Sequence, residues 1–265
     1  MGILMWTALI TVMLAILWNV SSVARYYLKF SLFILLSLIF ATVPIPIMLL
    51  RPKSSKNALI PARALRMSAW ILGLNYKVKG KENIVENSGC VVLINHQSAL
   101  DLIVLAELWP IMDDCTVISK KEVFYLWPFG LATWLWGTIF IDRLNAEKAQ
   151  ESVNKTGKTI RDRKARVLMF PEGTRSLKDR LLPFKKGAFH LAIASQCPIQ
   201  PVVVDRYKFL GKHRFDQGDI TISILPAIST EGKTRDDIPL LMEKAYTTMS
   251  TFLEERSTTV AKKVD

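Results

Sequence analysis

Charge is nearly absent from the first fifth of this 265-residue chain, where residues 1–50 carry only Arg25 and Lys29. Half of all residues are hydrophobic, and the mean hydropathy is +0.24. This composition excludes a disordered chain, because burial of a large apolar fraction offsets the entropy cost of ordering. The uneven distribution also argues against a purely soluble protein. We therefore divide the chain into an apolar segment, residues 1–50, and a basic body, residues 51–265.

Cysteine is also scarce. The three cysteines (Cys90, Cys115 and Cys197) are widely spaced, odd in number and without a C-x-x-C pattern. This pattern argues against a disulfide framework and suits a body that faces a reducing compartment.

Acidic residues are outnumbered, with 35 Lys and Arg against 23 Asp and Glu, for a net charge of +12. The apolar segment holds two of the basic residues, so the body carries +10. Such an excess indicates nucleic acid, an anionic membrane surface or an anionic small substrate as partner. No Lys/Arg block or RNA-binding aromatic motif is present, so we expect no nucleic-acid partner.

Two runs in the apolar segment are long enough to form membrane helices. Met1–Ala24 and Phe30–Leu50 have no charged side chain, and either could cross a hydrocarbon core of about 30 Å. The first run could be a cleaved signal peptide, but it lacks a basic n-region and is too long for the usual apolar h-region. We therefore predict an N-terminal pair of uncleaved membrane helices.

The charges that flank these runs predict the orientation of the pair. Basic residues follow the second run at Arg51, Lys53, Lys56, Arg63 and Arg66. By the positive-inside rule this side is cytoplasmic, with the Arg25–Lys29 break on the opposite face or at headgroup level.

The body alternates between strand and helix patterns. Strands are predicted at Tyr76–Lys79, Cys90–Ile94, Thr116–Ile118, Val167–Phe170, Pro201–Val204 and Ile220–Leu225. Helices are predicted at Asn57–Leu72 and Leu100–Leu108, from an Asn145 cap through Ile160, and from Ile238 to Leu253. This alternation predicts a layered α/β domain.

A histidine and a carboxylate follow the Cys90–Ile94 strand. His96 and Asp101 are five residues apart, which on one helix separates them by about 140°. They can meet if a helix begins between them, with Ser98 as N-cap and Asp101 at the third helical position. A carboxylate beside a histidine fixes its tautomer and supports proton transfer. The alternative is a capped helix with a chance histidine before it.

Three other segments suit an anion. Gly137–Arg143 ends an apolar run with arginine, Pro171–Ser176 follows a strand, and Phe184–His190 holds two lysines. Glycine and threonine in such loops present backbone N–H groups, and arginine supplies a bidentate fork for phosphate. Each segment alone could be an ordinary turn or a solvated charge.

Taken together, four ordered blocks carry a family resemblance. Asn95–Asp101, Gly137–Arg143, Phe170–Ser176 and Pro198–Val203, supported by Leu182–Ala192, resemble the H-x-x-x-x-D glycerolipid acyltransferases. The animal 1-acylglycerol-3-phosphate O-acyltransferases (lysophosphatidic acid acyltransferases) match best. The resemblance is strong from Gly80 to Tyr207. It implies transfer of a fatty acyl group from acyl-CoA to the 2-hydroxyl of lysophosphatidic acid. The product, phosphatidic acid, enters phospholipid and triacylglycerol biosynthesis.

The resemblance also implies roles for individual residues. His96 is the catalytic base, oriented by Asp101, because the acceptor hydroxyl must lose its proton as it attacks the thioester. Arg143 and the loop Glu172–Arg175 hold the acceptor phosphate, and Lys185 or Lys186 assists there or meets the phosphates of CoA. The expected substrate-binding residues are Asn95, Gly137, Arg143, Glu172, Gly173, Thr174, Arg175, Lys185, Lys186 and Pro201. Thiolate is a good leaving group, so no metal or cofactor is expected and acyl-CoA is a co-substrate.

The resemblance also bears on Val123–Ile141, an uncharged run of 19 residues with three of the seven tryptophans. If this run crossed the membrane, Arg143 would emerge about 30 Å from the His96 side. One acceptor could not touch both residues, so we predict a partly embedded or interfacial element.

The chain ends in Lys262-Lys263-Val264-Asp265, which resembles a dilysine retrieval signal. With the apolar segment, it predicts an endoplasmic reticulum membrane protein, with membrane lipids as partners and a cytosolic catalytic domain. Two solvated lysines in a frayed tail are the plainer interpretation.

Three alternatives stay open for the function. The same machinery could acylate another lysophospholipid or glycerol-3-phosphate. A membrane-anchored thioesterase or hydrolase would use water in place of the lipid hydroxyl. A non-enzymatic basic membrane-binding module would leave His96 without a role.

Overall fold

The computed structural model describes residues 2–141, 156–158 and 160–261, without the side chains of residues 3, 14 and 259–261. The α-helices in this part are α1 (Gly2–Val20), α2 (Ser22–Thr42), α3 (Ile45–Met48), α4 (Leu59–Ile71), α5 (Asp101–Leu108), α6 (Phe129–Leu135), α7 (Gly187–Ser195) and α8 (Ile238–Ala261). Residues 156–158 and 160–163 are also helical, and the remainder of the helix predicted from Asn145 through Ile160 lies outside the described residues. The strands are β1 (Leu74–Lys79), β2 (Cys90–Ile94), β3 (Cys115–Lys120), β4 (Ile139–Ile141), β5 (Arg166–Met169), β6 (Ile199–Val204), β7 (Leu210–Gly211), β8 (Arg214–Phe215) and β9 (Gly218–Ile224).

A mixed sheet organises the body. Its order is β1-β9-β6-β2-β5-β3-β4 across the described residues, and β7 and β8 form a separate hairpin. Strands β6, β2, β5, β3 and β4 are mutually parallel, whereas β9 pairs antiparallel with β6 and parallel with β1. Every residue of β2 is buried, as expected for a central strand covered on both faces.

Helices cover both faces of the sheet. Because successive side chains of a strand point to opposite faces, Val91 and Leu93 pack in one core with α7 and α8, and Val92 and Ile94 in another with α4 and α5. The prediction of a layered α/β domain is confirmed.

The N-terminal helix pair is also present. Ser21 separates α1 from α2 and caps α2, its Oγ accepting a hydrogen bond from the backbone N–H of Ala24 at 3.2 Å. One described segment, Ser22–Met48, is long and apolar enough to cross a membrane. The division of the chain at residue 50 stays a prediction.

The packing of α2 bears on the two positions that the charges leave open for the Arg25–Lys29 break. Lys29 is buried, and its Nζ donates to the carbonyls of Leu72 at 2.8 Å and Asp216 at 3.3 Å. Further along the same helix, Ala41 packs in a core with Ala132 and Leu135 of α6. Both parts of α2 therefore contact the body, which favours the headgroup level over the opposite face for the Arg25–Lys29 break. The orientation in a membrane stays a prediction.

The third uncharged run is not one helix. It forms a turn ending at Tyr125, then the seven-residue helix α6, and then β4, which pairs with β3. A helix of seven residues is far shorter than the roughly 20 that a span needs. The prediction that this run does not cross the membrane is confirmed; its contact with the interface stays a prediction.

Candidate active site

The sheet topology gathers the candidate residues at one edge. Strands β2, β5, β3 and β4 are parallel neighbours, so their carboxyl ends meet there. The segments that follow these ends are Asn95–His96 after β2, Phe170–Arg175 after β5 and Lys121 after β3. Arg143 follows β4 but lies outside the described residues. The sequence alone does not place Lys120 and Lys121 at this edge, because their position depends on the strand order.

His96 and Asp101 form a hydrogen-bonded pair. His96 Nδ1 lies 2.7 Å from Asp101 Oδ2, and the aspartate is almost completely buried. Since the carboxylate accepts the Nδ1 proton, we assign the tautomer that leaves Nε2 with a free lone pair. The ring stacks on Phe170 with centroids 4.0 Å apart and planes tilted by 21°. The imidazole is therefore held in one orientation, with Nε2 available to a substrate.

The start of α5 differs from the prediction. The helix begins at Asp101, after a turn over Ala99 and Leu100, so Asp101 is not its third residue. Ser98 Oγ accepts a hydrogen bond from the N–H of Leu100, and the Asp101 carboxylate accepts those of Gln97 at 2.7 Å and Ser98 at 3.1 Å. The predicted consequence holds, because Asp101 turns back onto the loop of His96.

Glu172 connects two loops rather than facing a phosphate. Its Oε1 accepts the backbone N–H of His96 and its Oε2 that of Leu182, both at 2.8 Å. The carboxylate is buried, and the backbone N–H of Ser176 donates to the carbonyl of His96 at 2.9 Å. The structure therefore assigns both oxygens of the Glu172 carboxylate to the two loops and does not bring this side chain to the surface where a phosphate would bind.

Asn95 and Pro201 are not exposed to a substrate either. The Asn95 side chain is buried and bonds both backbone groups of Val204, accepting at 2.7 Å and donating at 3.0 Å. Pro201 is buried within β6 opposite Leu93. Both residues fix the β2–β6 pair that carries the site, so their predicted substrate contacts are not supported.

Gly137 lies at the amino end of β4 and is not brought together with the other candidate residues. It precedes β4, whereas the catalytic edge lies at the carboxyl end of that strand. Its φ of +87° suits glycine, and its carbonyl accepts the Thr116 hydroxyl at 2.8 Å. Gly137 shapes the turn into β4.

The other predicted anion ligands that the structure describes have exposed side chains. Thr174, Arg175, Lys185 and Lys186 are all exposed. Gly173 has φ +69°, and a Cβ built there would lie 2.9 Å from Cδ and Cε of Lys185. Lys185 therefore lies across the glycine, beside the loop of Arg175. No described carboxylate oxygen lies within 4.0 Å of the Arg175 guanidinium, so an ion pair with Glu172 does not form.

Competing nucleophiles and bases are unsuited to the chemistry. The three cysteines are buried, and burial raises the pKa of the Cys90 thiol to about 12 and also raises that of Cys115 and Cys197. Burial lowers the pKa of His190, which has no described carboxylate within 4.0 Å. No cluster of three metal-binding side chains occurs among residues 2–141, 156–158 and 160–261.

Comparison with known proteins agrees with this geometry. The sequence profile of the family described as Acyltransferase matches residues 75–205. A mouse protein named 1-acyl-sn-glycerol-3-phosphate acyltransferase alpha is 37% identical over 246 residues, covering 91% of this chain and 86% of its own. A Saccharomyces cerevisiae protein named 1-acyl-sn-glycerol-3-phosphate acyltransferase is 40% identical over 190 residues. This alignment covers 70% of this chain and 62% of the yeast protein.

The fold has also been solved in a bacterial protein. The crystal structure of the 1-acyl-sn-glycerophosphate (LPA) acyltransferase PlsC from Thermotoga maritima aligns with a TM-score of 0.60 at 18% identity. The alignment covers 87% of this chain and 97% of that one. At this identity the likeness concerns the fold alone.

Proposed function

This chain belongs to the 1-acyl-sn-glycerol-3-phosphate acyltransferase family, and on that premise we propose the reaction and the residues that perform it. The enzyme transfers a fatty acyl group to the 2-hydroxyl of lysophosphatidic acid and forms phosphatidic acid, with acyl-CoA as the donor. The observation that carries the proposal is the 2.7 Å contact between His96 and Asp101 at the edge where the anion-binding loop also lies.

The pair supplies the proton transfer. His96 Nε2 takes the proton of the acceptor hydroxyl as its oxygen attacks the thioester carbonyl. Asp101 stabilises the imidazolium that forms. The C–S bond then breaks, and the CoA thiolate leaves with the proton from His96. The new ester stays on the lipid, and no covalent enzyme intermediate forms.

The acceptor phosphate binds beside this pair. Arg175 supplies the bidentate guanidinium, Thr174 supplies a further donor, and Lys185 lies against the same loop. The backbone N–H of Gly173 already donates to the carbonyl of Phe170 at 3.1 Å, so Gly173 shapes the loop and leaves the phosphate to its neighbours. We keep Arg143 as a further ligand of the phosphate because it ends the sequence block Gly137–Arg143. Lys186 and Lys121 are candidates for the phosphates of CoA.

Lysophosphatidic acid and phosphatidic acid both reside in a membrane, and the protein exposes apolar side chains that could contact one. Trp70 on α4 is 77% exposed and Trp127, before α6, is 75% exposed. Tryptophan is favoured at membrane–water interfaces. We place the enzyme on the endoplasmic reticulum membrane with a cytosolic body. Lys262 and Lys263, which motivate this address, lie outside the described residues.

A panel of acceptors tests the proposal. The full chain in detergent or membranes is given labelled acyl-CoA with lysophosphatidic acid, another lysophospholipid or glycerol-3-phosphate. Phosphatidic acid is expected as the main product. Preference for another acceptor would reassign the headgroup, free fatty acid without acceptor would indicate a thioesterase, and lipid binding without turnover would indicate a binding module.

A further inference from the structure

Asp101 has a second partner that the proposed reaction does not use. Its Oδ2 faces His96 and two backbone N–H groups, whereas its Oδ1 accepts the hydroxyl of Tyr207 at 2.7 Å. Tyr207 lies three residues past the end of β6, on a segment far from Asp101 in the sequence.

Tyr207 is built rigidly into this position. Its side chain is buried, and its backbone N–H donates to Gln97 Oε1 at 3.2 Å. The Gln97 amide donates in turn to the carbonyl of Asp205 at 3.0 Å. The tyrosine and the His96 loop are thus bonded together through both main chain and side chain.

A second, partly buried tyrosine stands behind the first. The hydroxyl of Tyr76, on β1, is enclosed and faces that of Tyr207, but it makes no hydrogen bond to another described residue. Burial raises the pKa of both phenols, so both stay protonated, and Tyr207 is the one that donates to the carboxylate. Glu107, paired with Arg66 at 4.0 Å, is the other charged group that faces Tyr76.

Resting on the proposed function, we infer that Tyr207 is a positioning residue. Its hydroxyl holds Asp101 Oδ1 so that Oδ2 stays aligned with His96 Nδ1 during proton transfer. Without the tyrosine hydroxyl, only one oxygen of the buried carboxylate is fixed, and the group can rotate away from the imidazole. The carboxylate also loses a neutral donor that stabilises its negative charge without adding charge of its own.

The test compares Tyr207→Phe with wild type in the full-length protein. A hydrogen bond to a charged group is lost, so kcat should fall about tenfold to a hundredfold, with KM for both substrates within about twofold. The acidic limb of the pH–rate profile should move to higher pH, because the less stabilised carboxylate makes the pair hold a proton more tightly. Tyr76→Phe removes a hydroxyl that makes no hydrogen bond among the described residues, so it should leave kcat nearly unchanged.

Two comparisons separate positioning from simple destabilisation. Tyr246→Phe removes the hydrogen bond of a partly buried tyrosine to the carbonyl of Leu181, at 3.1 Å, and should leave the pH profile unchanged. In an Asp101→Asn background, Tyr207→Phe should have little further effect, since the tyrosine acts through the carboxylate. Full additivity, or an unchanged kcat in Tyr207→Phe, would overturn the inference. An inactive wild type would instead count against the proposed function.

Discussion

His96 has one ring nitrogen committed to Asp101 and one free, and its main chain carries separate contacts. The backbone N–H and carbonyl bond Glu172 and Ser176, so these links survive a change of side chain. We expect His96→Ala to lower acyl transfer by about 10²–10⁴-fold while the fold persists. Turnover assays with circular dichroism and membrane fractionation check this. Near-normal turnover in a folded variant would remove His96 from the mechanism.

Glu172 should matter for stability as much as for activity. A glutamine side chain at this position has one acceptor oxygen for two backbone N–H groups and would turn its own N–H toward one of them. We expect Glu172→Gln to lower the free energy of unfolding by about 1–3 kcal/mol and to reduce kcat as the loops loosen. Chemical denaturation measures the first, with exposed Glu243→Gln as control. Equal stability of the two variants would mean that this carboxylate does not hold the loops.

Arg175 tests the acceptor site. Losing a charge-assisted hydrogen bond should raise the KM for lysophosphatidic acid about tenfold to a hundredfold, with little change for acyl-CoA. Steady-state kinetics of Arg175→Ala check this, and Arg143→Ala is expected to behave alike. As a control, Arg63→Ala removes the same charge from an exposed position on α4. An equal rise for both substrates would argue against a phosphate contact, and a selective rise for acyl-CoA would assign Arg175 to the donor.

At the scale of elements, the sequence predicts those helices, strands and turns that depend on residues close together in the chain. β2 is recognisable as a buried apolar run. Asp101 turns back onto His96 because a turn separates the two residues and α5 starts at Asp101. β4 has only three residues within a long apolar run, so periodicity could not separate it from a helix. The contacts of Glu172 and Tyr207 join segments 76 and 106 residues apart, and no local pattern encodes such pairs.

The loop of Gly173 offers a matched pair of substitutions. Gly173 and Gly232 share a φ of +69°, but only at Gly173 would a Cβ meet a neighbour, Lys185. Both alanine variants should lose about 1 kcal/mol of stability from backbone strain. Gly173→Ala should in addition raise the KM for lysophosphatidic acid, because Lys185 must move. Identical kinetics in the two variants would show that the position of Lys185 does not matter for the acceptor.

At the scale of the whole molecule, the body and the apolar helices form one packed unit. Between Lys29 and Ala41 the helix α2 advances about 18 Å, and both positions are buried against the body. A helix held along its length by a domain on one side of a membrane cannot also cross that membrane. The helix pair is therefore expected to embed from the side that carries the body, leaving the exposed apolar side chains of α2 to the lipid.

This topology makes a prediction about the turn at Ser21. A short N-glycosylation acceptor inserted there should stay unmodified in cells, because the turn is on the side of the body and not in the lumen. The same cassette in a secreted reporter shows that it is competent, and retained acyl transfer shows that the inserted protein folds. In sealed microsomes, added protease should remove a tag placed after Asp265. A glycosidase-sensitive gain in mass at the Ser21 insert would mean that α2 spans the bilayer, and a fully protected tag would place the body in the lumen.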